Sequence, residues 1–164
     1  MPDHDGPVIR PLGRAGDLGW VVMAHGEVYA REYGWNQDFE ALVARIVADY
    51  ARDHDPRREA AWIAERDGRR VGCVFCVADS EEVARLRILL VDPAARGLGL
   101  GARLVDECLA FARAAGYRRI TLWTNDVLAS ARRIYQAAGF TLESADGHHS
   151  FGRDLVGEHW SRSL

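Results

Sequence analysis

The chain has 164 residues, 21 basic against 24 acidic, a formal charge of −3 and 48% hydrophobic residues. That length sets the expectation of one domain, residues 1–164, with enough apolar mass for a proper core. No basic tract stands apart from the acids to meet nucleic acid, no window approaches the roughly 18 unbroken apolar residues of a membrane span, and Met1–Gly6 lacks the basic and apolar regions of a secretory signal. Three cysteines, an odd number, argue against a disulfide scaffold, so a cytoplasmic setting is expected.

In chain order, Val8–Leu12 reads as a short strand. Asp17 to about Tyr33 carries apolar residues at mixed spacing, and Gly19 and Gly26 weaken a helical reading. Asn36–Tyr50 is clearer: Asn36 can cap, and Phe39, Leu42, Val43, Ile46, Val47 and Tyr50 recur at helical spacing. Ala60–Glu65, Asp67-Gly68 and Arg70–Ala78 form a hairpin pattern around a turn pair that favours positive φ. Cys73 and Cys76 lie inside its second strand, three apart and so on opposite faces, where they read as core. Val83–Val91 is a third strand, closed by Asp92-Pro93, and the tight connections make these strands antiparallel.

Arg96-Gly97-Leu98-Gly99-Leu100-Gly101 follows, and then a helix whose stripe is Leu104, Val105, Cys108, Leu109, Phe111 and Ala112, with Gly116 at its C-terminal cap. Arg118–Thr124 reads as a strand, Val127–Ala138 as a helix stopped by Gly139, and Phe140–Ser144 as the start of another strand. Asp146-Gly147 is expected to turn the chain, and His159–Leu164 to add a last strand. The whole is a mixed α/β domain with helices on both sides of a central, mostly antiparallel sheet.

The glycine turn carries the chemistry. Three glycines in five positions strip side chains from a strand-to-helix turn, so backbone N–H groups converge at the positive end of a helix dipole and suit a pyrophosphate. A dinucleotide site would need repeated parallel βαβ crossovers, but an antiparallel hairpin precedes this turn. A Walker A loop would need a lysine, and the chain has none.

Leu89-Leu90-Val91-Asp92-Pro93 and the Arg96–Gly101 turn together resemble the acetyl-coenzyme A signature of the GNAT N-acetyltransferases. Ile134-Tyr135-Gln136-Ala137-Ala138-Gly139-Phe140 is similar to the family's second signature, a helix carrying Tyr and ending in Gly-Phe. Tyr29–Trp35, Leu122–Asp126 and His148–Gly152 further resemble the acetyltransferase half of bacterial proteins that fuse a MarR-type winged helix to a GNAT domain. The DNA-binding half has no counterpart in these 164 residues. The resemblance implies a splayed GNAT sheet and acetyl transfer from acetyl-CoA, the co-substrate, to a small-molecule or peptide primary amine by direct attack in a ternary complex. It implies no metal, and it leaves a homodimer open. The alternative is an acyl-CoA sensor without turnover.

Carried onto this chain, the resemblance makes Arg96, Gly97, Leu98, Gly99, Leu100, Gly101 and Ala102 the pyrophosphate turn. It makes Leu89, Leu90 and Val91 the strand that pairs with pantetheine. Asn125 becomes a further coenzyme contact, or a cap for the next helix, and Leu128 stands where many members have asparagine. Tyr135 resembles the general acid that protonates the departing thiolate, close enough to contact the coenzyme. The base is open among Glu81, Glu82, Glu27, Glu32, His148 and His149, with Glu82 the first choice. Tyr29, Tyr33, Trp35, His148 and His149 are expected to face the acceptor. Arg132 or Arg133 could meet a phosphate, and Arg85 and Arg87, on one face of their strand, need a partner or a cleft.

Overall fold

The computed structural model describes residues 6–164. Strand β1 (Val8–Pro11) leads to helices α1 (Asp17–Tyr33) and α2 (Gln37–Asp53) and to the meander β2 (Ala60–Arg66), β3 (Arg69–Ala78) and β4 (Val83–Val91). A 3-10 turn (Pro93–Ala95) joins β4 to α3 (Leu100–Ala114), followed by β5 (Arg119–Asn125), α4 (Ala129–Ala137), β6 (Thr141–Ser150) and β7 (Arg153–Ser163). The strands form one sheet in the order β1-β2-β3-β4-β5-β7-β6. All neighbours are antiparallel except β4 and β5.

The β4–β5 pair makes the fold's functional feature. It is held only through Val83↔Arg119, Ala84↔Ile120 and Arg85↔Thr121. Beyond Arg85 the strands part, and β4 continues to Val91 with unpaired groups on that edge. The sheet therefore opens like a V toward the C-terminal end of β4.

Two cores flank it. On one face α3 buries Leu104, Val105, Cys108, Leu109 and Ala112 against Val74, Cys76, Leu86 and Ile120, each large side chain contributing about 1.5–3 kcal/mol. On the other, Val21, Val28, Phe39, Val43 and Val47 of α1 and α2 cover Ile63, Cys73 and Phe75. Cys73 and Cys76 thus lie on opposite faces, and all three cysteines are buried.

Two expectations change. The 17–33 segment is an uninterrupted helix. Gly26 faces α2 there, where a Cβ would meet the side chain of Glu40. Asp146-Gly147 does not turn the chain: both residues lie within β6, paired with Gly157 and Val156, and β7 begins six residues earlier than expected. The turn is Phe151-Gly152, at φ 57° and 78°, the two positive values a two-residue hairpin needs. Phe151 keeps that costly conformation because its ring is buried against Trp35 and Phe39, and its carbonyl accepts from Asn36 N at 3.1 Å.

Candidate active site

The V of the sheet holds two adjoining cavities. The larger, about 350 Å³, runs along the end of β4 (Leu89–Val91) to the glycine turn and the start of α3, and is walled by α4 on one side and by Tyr29, Glu32 and Tyr33 of α1 on the other. Gly97 and Gly99 sit at φ 84° and 72°, and a Cβ on either would project into open space. Gly99 begins α3 with no side-chain cap, so the first N–H groups of a 15-residue helix face the cavity unanswered. Gly101 has a different role, since a Cβ there would come within 2.6 Å of Ile134 Cδ1; it lets α4 close on α3. Arg96 spans the cavity mouth to Glu32 at 2.7 Å. This cradle fits a pyrophosphate, and the strand edge beside it fits an extended amide chain.

The second cavity, about 140 Å³, lies deeper between α1, α2, β4 and the end of β5. Tyr29, Leu89, Leu128 and Ala131 line both cavities and form the partition between them. Leu128 therefore stands at the junction itself.

The expected coenzyme residues divide accordingly. Leu89, Leu90, Val91, Arg96, Gly97, Gly99, Leu100, Gly101 and Ala102 line the larger cavity, whereas Leu98 is exposed beside it. Asn125 and Tyr135 line the second cavity instead. Tyr135 is buried, its ring edge-on to Phe140, and desolvation pushes its phenol well above the usual range.

Of the expected acceptor residues, Trp35 lines the second cavity, Tyr33 the first and Tyr29 both. The histidine pair does not line either one. His148 donates from Nε2 to Asn125 Oδ1 at 2.8 Å and fixes that amide from behind, with its Nδ1 at 2.9 Å from Ser150 Oγ. His149 is exposed and pairs with Asp154.

Glu82, the first choice for the base, lies outside the site. It precedes β4 at the closed end of the V, exposed and beside Arg118, roughly 20 Å of strand from Leu89. Arg132 is committed to the buried Glu158 at 2.8 Å, and Arg133 bonds Ser130.

His25, which the sequence did not single out, lines the second cavity. Its Nδ1–H donates to Val21 O at 2.8 Å, leaving the Nε2 lone pair buried without a partner. Burial lowers its pKa to about 4, so the ring is neutral near pH 7. Trp35 Nε1–H is likewise buried and unpartnered. The signal was spacing: His25 lies four residues from both Val21 and Tyr29 on the apolar stripe of α1.

Among the described residues no group of three metal-ligating side chains converges, and no helix is long and apolar enough to cross a membrane. Residues 20–140 match the model of the acetyltransferase (GNAT) family. A mycothiol acetyltransferase of Thermomonospora curvata is 33% identical over 145 residues, covering 87% of this chain and 46% of its own length. One from Beutenbergia cavernae is 35% identical over 164 residues, covering 84% and 54%. The chain thus spans about half the length of these relatives. The Salmonella typhimurium protein yncA, solved with acetyl-CoA, superimposes with a TM-score of 0.77 at 18% identity over 97% of this chain and 94% of its own. None of these matches supports the finer likeness to MarR-type fusions. The splayed strands, the uncapped glycine turn and the match over residues 20–140 together make this chain a member of the GNAT family of acetyltransferases.

Proposed function

We propose that the chain moves an acetyl group from acetyl-CoA to a primary amine by direct attack, with the donor in the larger cavity and the acceptor in the smaller. The observation that carries this is the shared partition: donor and acceptor spaces meet at Leu89, where β4 has left β5. The N-terminus of α3 and the glycine-turn amides hold the pyrophosphate, and the free β4 edge pairs with pantetheine.

The amine lone pair attacks the thioester carbonyl, the C–S bond breaks, the thiolate takes a proton from Tyr135, and the proton shed by the new amide nitrogen returns through water to the tyrosinate. Burial suits Tyr135 to this role, because a phenol with a raised pKa keeps its proton until a strong base forms beside it. No cysteine offers a covalent relay, since all three are buried in the cores. No carboxylate lines the acceptor cavity among the described residues, so the ammonium proton leaves through water. His25 accepts a hydrogen bond there without becoming a cation.

The test is thiol release from acetyl-CoA with a panel of amines, the product detected by mass, beside thermal stabilisation by coenzyme A alone. Release with at least one amine and the matching mass increase is the expected result. Stabilisation with no release across the panel would favour the sensor reading.

A further inference from the structure

We propose, on the basis of that reading, that the acceptor amine carries a carboxylate and that Arg87 binds it. Arg85 and Arg87 both line the acceptor cavity. Arg85 is engaged at the rim, 3.0 Å from Asp79, with both side chains about 40% exposed. Arg87 sits deeper on the strand and has no carboxylate within ion-pair distance among the described residues. Asp49 of α2 acts on it only at long range, and pairs instead with Arg52 at 3.3 Å. Burial and the neighbouring Arg85 both disfavour its charge.

A half-buried guanidinium with no direct carboxylate partner is costly to the fold. Its planar fork of N–H donors matches a carboxylate in two parallel bonds. The remaining walls supply no negative charge: Phe39, Leu42, Ile46 and Ile88 are apolar and His25 is neutral. A purely cationic amine would meet two arginines and no acid. An amine with its own carboxylate enters without net charge.

Scale agrees. Arg87 is two residues along β4 from Leu89 with a bulge at Ile88 (φ 44°) between them, so they lie within the roughly 7 Å that two extended residues span, and the amine at the junction and the anion at Arg87 are a few bonds apart. At about 140 Å³, the cavity is well below the roughly 300–1,000 Å³ of drug-sized sites. The class is an amino acid or a similarly small amino-carboxylate.

The experiment compares amino acids with their own amides, which keep the amine and lose the anion, in wild type, Arg87→Met and Arg87→Lys. Coenzyme A thermal shifts check that each variant is folded. Wild type is expected to favour the acid at least tenfold in kcat/KM. Arg87→Met should bring the ratio near one, chiefly through the acid's KM, and Arg87→Lys should retain part of the preference. Equal use of acids and amides by wild type overturns the inference alone, as does an undiminished ratio in folded Arg87→Met; should Arg87→Met not fold, an undiminished ratio in Arg87→Lys overturns it. Thiol release with no amine of either kind overturns the acetyltransfer reading and this inference with it.

Discussion

Helix α1 carries two buried polar clusters that the protein treats in opposite ways. At its N-terminus Asp17 is fully buried and fully answered. Arg10 grips both carboxylate oxygens at 2.8 and 2.9 Å, Arg70 adds a bond at 2.8 Å, and the N–H groups of Gly13 and Arg14 complete the shell. Two turns further on His25 Nε2, and in the loop after the helix Trp35 Nε1, are equally buried and lack partners, and Arg87 across the cavity has no carboxylate at ion-pair distance among the described residues. The first cluster ties β1, α1 and β3 into one frame. The second leaves a lone pair, an N–H and a cation to be matched by whatever enters the cavity. Burial alone does not separate a structural polar group from a binding one; the completeness of its hydrogen bonding does.

The comparison can be broken first at Asp17. Asp17→Asn takes one of two carboxylates from the buried Arg10, which keeps only Glu65 at 2.8 Å, and should cost roughly 3 kcal/mol, read as the shift in urea midpoint at constant slope. Arg10 holds the Asp17 carboxyl far below the usual carboxylate range. A depressed folded pKa stabilises above the unfolded value and is lost as pH falls, so this contribution is whole near neutrality and drains away through and below the ordinary carboxylate range. A variant that shows no midpoint change would dissolve the distinction.

His25 should act in the same direction in a different window. It ordinarily titrates near 6.5 and here near 4, so the unfolded chain takes the proton first. Stability therefore falls as pH drops from 6.5 toward 4, by roughly 3 kcal/mol at about 1.36 kcal/mol per pH unit. His25→Gln should flatten that slope, measured as urea stability against pH; an unchanged slope would place the loss elsewhere.

Tyr135→Phe should lower kcat on the order of 100-fold or more, a cost typical of losing one proton donor, with the KM for acetyl-CoA within about twofold. Unchanged turnover at saturating substrates would remove Tyr135 from the chemistry. The smallest effect is expected at Glu32, an acid on the donor cavity wall paired with Arg96. Glu32→Gln should tighten coenzyme A binding severalfold by titration calorimetry, because it frees Arg96 and removes a charge that repels pyrophosphate. Weaker binding would mean that the pair instead shapes the cradle.

The donor half of the site was legible because it is local. Gly97 and Gly99 mark positive φ, and Leu89–Val91 lies next to them in sequence. The acceptor half was legible only in part: Tyr29, Trp35 and the Arg85–Arg87 face were expected at a cleft and line this cavity, but five elements and the β6–β7 turn build it together, and no local pattern adds His25 to them. Glu82 was misjudged for a related reason: its nearness to β4 in sequence says nothing about which end of the V opens. Local turn chemistry also had limits. Asp67-Gly68 turns β2 into β3 with both φ positive, yet the same dipeptide at 146–147 stays extended, since the buried Phe151 ring fixes the hairpin four residues later.

The most direct test sets Asp17→Asn beside Arg87→Met in one thermal series with the acid-to-amide rate ratio measured on both. Asp17→Asn should lower Tm on the order of 10 °C and leave the ratio in place. Arg87→Met should leave Tm level or raised, since an uncompensated charge is exchanged for apolar bulk, and should abolish the ratio. A fall in Tm for Arg87→Met as large as that for Asp17→Asn, with the ratio intact, would contradict the division between answered and unanswered polar groups.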